Sequence, residues 1–120
     1  MVTLADYGVA VTWNDTRSGR ERQALNLWVE SIAMNDKAVA NGELEKWDAV
    51  MFEPSASGPA GAVRLYGTDE QVEAFIRTDE FTDIVLRAQT LLTGFSYRRF
   101  MTGQAMAEGF AKASAIIDAL

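Results

Sequence analysis

The chain contains no histidine and no cysteine. Without cysteine there is no disulfide, no thiolate nucleophile and no sulfur-ligated metal; without histidine the usual imidazole ligand and neutral-pH general base are missing too. Zinc centres, iron–sulfur clusters and histidine-dependent triads are excluded, and neither a metal nor a cofactor is expected. Positive charge is also scarce, since 11 Lys and Arg stand against 17 Asp and Glu for a net charge of −6. A field of that sign repels phosphate backbones and anionic bilayers, so nucleic acid and membrane surfaces are not expected partners. No uninterrupted apolar run approaches the roughly 20 residues of a membrane span. The stretch Met1 to Asp6 lacks a basic segment followed by an apolar one, from which a cytoplasmic protein is expected. On that expectation the glycosylation acceptor pattern Asn14-Asp15-Thr16 is a coincidence.

What is present is an ordinary globular composition, 48% hydrophobic and 23% charged over 120 residues, enough for one domain. Low-complexity sequence is confined to a short Ser-Gly-Pro loop and an alanine-rich tail. Strand-like stretches fall at Tyr7 to Trp13, Trp47 to Phe52, Ala62 to Tyr66 and Phe95 to Met101, with amphipathic helices after the first and third. Ser18 and Glu21 stand at capping-box spacing, so the first helix is expected to begin after Ser18, with Leu25, Trp28, Val29 and Ile32 inward. Asn41-Gly42 marks its end. Thr68 and Gln71 repeat the capping spacing before Val72, Phe75 and Ile76. A second start at Thr78 precedes Phe81, Ile84, Val85, Ala88, Leu91 and Leu92, and Gly94 closes that segment. Between the middle strands, Pro54 to Gly61 is too short for a parallel crossover and predicts an antiparallel hairpin. A bulge is expected in the fourth strand, where alternation is poor. Beyond Gly103, the spacing of Met106, Phe110, Ala113, Ile117 and Leu120 predicts a terminal helix with a narrow packing stripe.

The order β-α-β-β-α-β predicts an α+β fold, a ferredoxin-like antiparallel sheet with helices on one face. In the first strand, Tyr7, Val9, Val11 and Trp13 share one side, and Gly8, Ala10 and Thr12 the other. The small residues are expected to admit the helices and the bulky side to lie open. With members of the hairpin strands that side would expose several aromatics, and four of them amount to roughly 600 to 1,000 Å², beyond the apolar patch of a typical monomer. A second copy of the chain, paired sheet to sheet as a homodimer, is the expected remedy.

Three segments carry a resemblance: Gly19-Arg20-Glu21 before the first helix, Asn41-Gly42-Glu43-Leu44-Glu45 before the second strand, and Arg77-Thr78-Asp79-Glu80-Phe81. With the element order, they make the chain similar to the dimeric α+β barrel superfamily over Tyr7 to Met101, in particular to uncharacterised bacterial members. That resemblance implies ferredoxin-like subunits whose sheets pair into a barrel, with residues 7–101 as the core of a single domain and 104–120 as an added helix. The superfamily includes cofactor-independent monooxygenases, haem-degrading enzymes, isomerases and proteins with no established reaction, so the fold does not select among them. The histidine that haem degraders and many other catalytic members use has no counterpart in this chain.

Two candidate sites follow from residue type. A ligand pocket lined by Trp13, Asn14, Trp47, Arg64, Tyr66 and Arg98 would offer aromatic walls and a few polar groups to a small organic molecule. The plain alternative is that these are core and interface aromatics, with Asn14 capping a turn. Arg17, Ser18 and Arg20, with Arg22, would form an anion site at the first helix start, or else pair with surface acids. Arg98 and Arg99 should point to opposite sides, one of them meeting a carboxylate such as Glu53. Asp79, Glu80 and Asp83 sit near a helix start, where negative charge is favourable without a metal. Three functions are open: a homodimer accommodating a small apolar or aromatic ligand, a cofactor-independent monooxygenase or isomerase using Trp13, Asn14, Tyr66 and Arg98 on a phenolic or polyketide-like substrate, and an assembly module driven by the terminal helix.

Overall fold

The computed structural model describes residues 5–55 and 57–120. Its elements are β1 (Tyr7–Trp13), β2 (Asp15–Thr16), α1 (Glu21–Ala40), β3 (Lys46–Met51), β4 (Gly61–Gly67), α2 (Asp69–Ile76), α3 (Asp79–Leu91), β5 (Leu92–Thr93), β6 (Ser96–Met101) and α4 (Gly103–Asp118). The four main strands run antiparallel in the order β3-β4-β1-β6, which is the ferredoxin-like arrangement, while β2 and β5 form a separate two-strand clip. The regular register sets Val9 opposite Leu65 and Arg99, and Ala10 opposite Arg64 and Arg98. The six register pairs of β6 with β1 leave no place for a bulge.

Local chemistry explains the helix starts. The Thr68 side chain accepts from the Gln71 backbone N–H at 3.1 Å, and Gln71 returns a bond from its side-chain oxygen to the Thr68 N–H at 2.8 Å. Thr78 accepts from Phe81 N–H at 3.2 Å, which separates α2 from α3. At α1 the expected cap is not made: Arg20 is the N-cap and contributes no side-chain bond, while the Gly19 N–H donates to Glu21 at 3.3 Å. Gly19, at φ +81°, turns the chain after Ser18, so the helix begins beyond the reach of that hydroxyl. Gly42, at φ +76°, ends α1 as expected.

The faces of the sheet are the reverse of the sequence expectation. Val9 and Leu65 are buried beneath the helices with Val72 and Phe75 of α2 and Phe81 and Val85 of α3, and Tyr7, Val11 and Trp13 pack against the same cluster. Gly8, Ala10 and Thr12 lie on the open side with Tyr66, Arg64 and Ala62. The helices carry large apolar stripes of their own, and contact between bulky surfaces removes more area from water than contact with a floor of small residues. A Cβ on Gly8 would collide with the Phe100 ring and the Leu65 carbonyl, so the glycine serves an aromatic ring on the open face, not a helix.

Helix α1 is also rotated from its expected setting. Leu25 and Val29 are 50% and 59% exposed, whereas Leu27, Asn35 and Ala38 are buried. Bonds at the helix surface hold this rotation: Trp47 donates its indole N–H to Asp36 at 2.8 Å, and Lys37 and Glu30 pair with Glu80 and Arg87 of α3 at 3.0 and 2.6 Å. Arg99 faces α2, where it pairs with Asp69 and, at 2.9 Å, with Glu73; these carboxylates, and not Glu53, are its partners.

The terminal helix α4 is attached at its base. The Asp6 carboxylate accepts from the Gln104 and Ala105 backbone N–H groups at 2.9 and 3.3 Å, placing negative charge at the positive end of the helix dipole. Beyond Ala105 none of its residues is buried. The radius of gyration, 16.5 Å, exceeds the about 13.6 Å of a compact chain of this length.

Candidate functional site

A cavity of about 560 Å³ lies between the helix-covered face of the sheet and the helices α1 and α3. Its floor is Val11, Trp13, Val63 and Leu65, fixed by the alternation of β1 and β4. One wall is α1, contributing Leu27, Trp28, Ser31, Met34 and Asn35; the other is Phe81, Ile84 and Ala88 of α3. Leu92 and Phe95 close one end, and the exposed Glu21, Leu25 and Met51 mark the mouth. The indoles of Trp13 and Trp28 meet at 6.0 Å between centroids with a 53° tilt, forming an aromatic corner.

Two polar side chains stand on the α1 wall, one turn apart. Ser31 donates its hydroxyl proton to the Leu27 carbonyl at 2.8 Å. Asn35 is 2% exposed, and its side-chain oxygen has no hydrogen-bond partner among the described residues. Among the described residues, Glu21 at the mouth is the sole ionisable one lining the cavity. Such a space accommodates an uncharged, largely apolar molecule, because a charge taken from water into it would meet no counter-charge.

The six residues expected to line a pocket do not share one. Trp13 is in the cavity wall. Asn14 is exposed at the end of β1, where its backbone N–H donates to Thr93 at 2.8 Å and its side chain lies against Gly94. Trp47 is held by Asp36 on the helix side of edge strand β3, outside the cavity lining. Arg64, Tyr66 and Arg98 stand on the open face of the sheet, opposite the cavity. There Arg64 makes a two-point pair with Asp48 at 2.8 and 3.0 Å, and that hydrogen bonding raises the guanidinium pKa above its ordinary value. Tyr66 lies between the Lys46 ammonium, 4.5 Å from the ring centroid, and Phe100, 5.3 Å away and edge-on.

Arg17, Ser18 and Arg20 are exposed around the turn before α1. They are organised through the backbone, with Arg17 N–H on the Leu91 carbonyl at 2.8 Å and Arg20 N–H on the Arg17 carbonyl at 3.0 Å. The Glu21 carboxylate occupies the donor at Gly19, which opposes a bound anion. Among the described residues no three His, Cys, Asp or Glu side chains gather as a metal site. Sequence reasoning missed Ser31 and Asn35. Their signal was the spacing Leu27, Ser31, Met34, Asn35 and Ala38, a second helical stripe that is passed over when apolar residues alone are followed.

No family model matches the chain, and no curated protein does either. Solved structures match in shape. A dimeric ferredoxin-like protein of unknown function from Bacteroides fragilis aligns over 84% of this chain and all of its own, with TM-score 0.61 and 7% identity. Another dimeric ferredoxin-like protein of unknown function, from Thermobifida fusca, covers 80% of this chain and 90% of its own at TM-score 0.63 and 10% identity. Hydroxynitrile lyase from Passiflora edulis covers 84% and 97%, respectively, at TM-score 0.65 and 10% identity. At such identities the likeness is one of fold. The chain has the ferredoxin-like α+β fold of the Bacteroides fragilis and Thermobifida fusca proteins. Among the described residues no helix is long and apolar enough to cross a membrane.

Proposed function

We propose that this protein binds a small apolar or aromatic molecule between its sheet and helices, and that it does so as a homodimer. The observation that carries the binding reading is the cavity of about 560 Å³, within the 300–1,000 Å³ typical of small-molecule sites. Its single ionisable lining residue stands at the mouth, which supports binding over acid–base turnover. The monooxygenase or isomerase reading called on Trp13, Asn14, Tyr66 and Arg98; Trp13 lies on the opposite side of the sheet from Tyr66 and Arg98, and Asn14 is outside the cavity lining. The test is calorimetric titration of the full chain with naphthalene derivatives, beside an Ala24→Trp variant that fills the cavity near its mouth. Binding by the parent and its loss in a folded variant is the expected result; no heat with either protein rejects the reading.

Self-association is proposed through the open face of the sheet, where Val50, Ala62, Ala10 and Thr12 are flanked by Tyr66 and Phe100. Two solved proteins of this fold are described as dimeric, which supports the reading. The rings of Tyr7 and Trp13 take no part in that surface, since they pack against the core cluster on the helix side. Sedimentation of Ala10→Glu, with a charge at the centre of that face, is expected to show a monomer where the parent shows a dimer.

Helix α4 favours a further role in assembly. A 16-residue helix is marginal alone in water, and Phe110 and Ile117 are 69% and 66% exposed, so its stripe calls for a surface on a second copy.

A further inference from the structure

Resting on the proposal that the cavity binds an apolar ligand, we infer that this ligand is an uncharged alcohol or phenol whose hydroxyl donates to the side-chain oxygen of Asn35. Asparagine is a poor choice at this position on two counts. It disfavours helix interiors, yet it stands inside the 20-residue α1; it is polar, yet it is 2% exposed. Its buried oxygen has no partner among the described residues, a condition that native structures rarely leave unresolved. Asn35 lines the cavity, and a turn of its amide group would present the oxygen to a donor arriving through that space.

The second polar group sharpens the class. Ser31, one turn earlier on the same wall, has its proton committed to the Leu27 carbonyl, so what remains on its oxygen is acceptor capacity. The side-chain oxygens of both residues can therefore take a donor from the ligand. Apart from Thr16 and Glu21, both exposed, the remaining described wall is aromatic and aliphatic, with the Trp13–Trp28 corner suited to a flat ring, and its interior supplies no counter-charge for an ion. A one- or two-ring molecule with a single hydroxyl satisfies the volume, the apolar lining and the orphan acceptor together.

The test uses the full-length protein and two probes of nearly equal size, 1-naphthol, which carries the donor, and 1-methylnaphthalene, which does not. The naphthol is expected to bind about tenfold more tightly, the scale of one hydrogen bond to an otherwise unpaired buried acceptor. In Asn35→Leu that preference should vanish through weaker naphthol binding, with 1-methylnaphthalene affinity retained. Should the variant fail to fold, ring-substituted 1-naphthols on the parent provide the same test: affinity should rise with hydroxyl acidity while the probe stays neutral. Equal or weaker binding of the naphthol to the parent, or a flat acidity series, would mean that a buried water satisfies the amide, and would overturn the assignment while leaving the cavity reading intact. Binding of neither probe overturns both.

Discussion

The ring of Phe100 lies across Gly8 on the open face of the sheet, with the Tyr66 ring meeting it edge-on at 5.3 Å. A side chain at position 8 would have to displace that ring and press on the Leu65 carbonyl. Gly8→Val is therefore expected to destabilise the fold by about 2 kcal/mol or more, as overpacking in a tight contact does. Urea denaturation checks this, and an unchanged midpoint would show that the ring moves aside freely.

Trp28 joins the cavity wall to the floor through its contact with Trp13. Trp28→Ala removes that contact and enlarges the space. Since Trp28 is only partly buried, the expected loss is near the lower end for such changes, about 3 kcal/mol. Thermal unfolding should show it, together with weaker binding of aromatic probes.

The Thr68 cap has a nonlocal load. Its partner Gln71 also donates to the Gly42 carbonyl and the Glu45 carboxylate, both at 3.0 Å, so the start of α2 holds the connection from α1 to β3. Thr68→Ala should cost about 1 kcal/mol, the usual value for a lost N-cap. Hydrogen exchange should rise at the first turn of α2. A variant with unchanged exchange there would show that the cap is dispensable.

Arg99 links β6 to α2 through Asp69 and Glu73 and is about a third exposed. Arg99→Ala is expected to lower stability by about 0.5–1 kcal/mol at low ionic strength, with a smaller difference in high salt, as for other partly exposed pairs. Parallel denaturation curves at two salt concentrations measure the difference. A salt-independent loss would assign the effect to packing of the aliphatic stem instead.

Removal of residues 103–120 should leave the subunit folded, because within α4 only Ala105 is buried. Circular dichroism is expected to lose helix signal while the urea midpoint stays near the parent value. Sedimentation should report weaker self-association. Unchanged assembly would remove the role proposed for α4.

Much of this architecture is written in short-range patterns. Thr68 with Gln71, Thr78, and Asn41-Gly42 mark helix ends through bonds and turns that reach at most a few residues, and each lies where its chemistry placed it. The four main strands follow from alternation, and the antiparallel pairing of β3 with β4 from a connection too short for anything else. Ser18 is the exception among the caps: its spacing to Glu21 was right, but Gly19 bent the chain away from it.

The site was far less legible. Alternation in β1 separates Val9 from Ala10 without saying which of them meets the helices, and three aligned helix stripes decided that Val9 does. The same blindness divided Trp13 from Tyr66 and Arg98, which residue chemistry had gathered into one pocket and the sheet set on opposite sides. On α1, counting apolar residues favoured Leu25 and Val29, while bonds from Trp47, Glu80 and Arg87, all distant in sequence, turned Asn35 inward.

By itself, then, the sequence determined the four main strands and the helices, most of their ends and the absence of histidine and thiol chemistry, because these depend on composition and on neighbours within a turn or two. Only the tertiary structure decided which surface of the sheet was covered, how α1 was rotated and where a cavity remained. Those depend on fitting stripes from separate segments against one another, and the area buried by each pairing is a property of the assembled layers, not of any one stretch of chain.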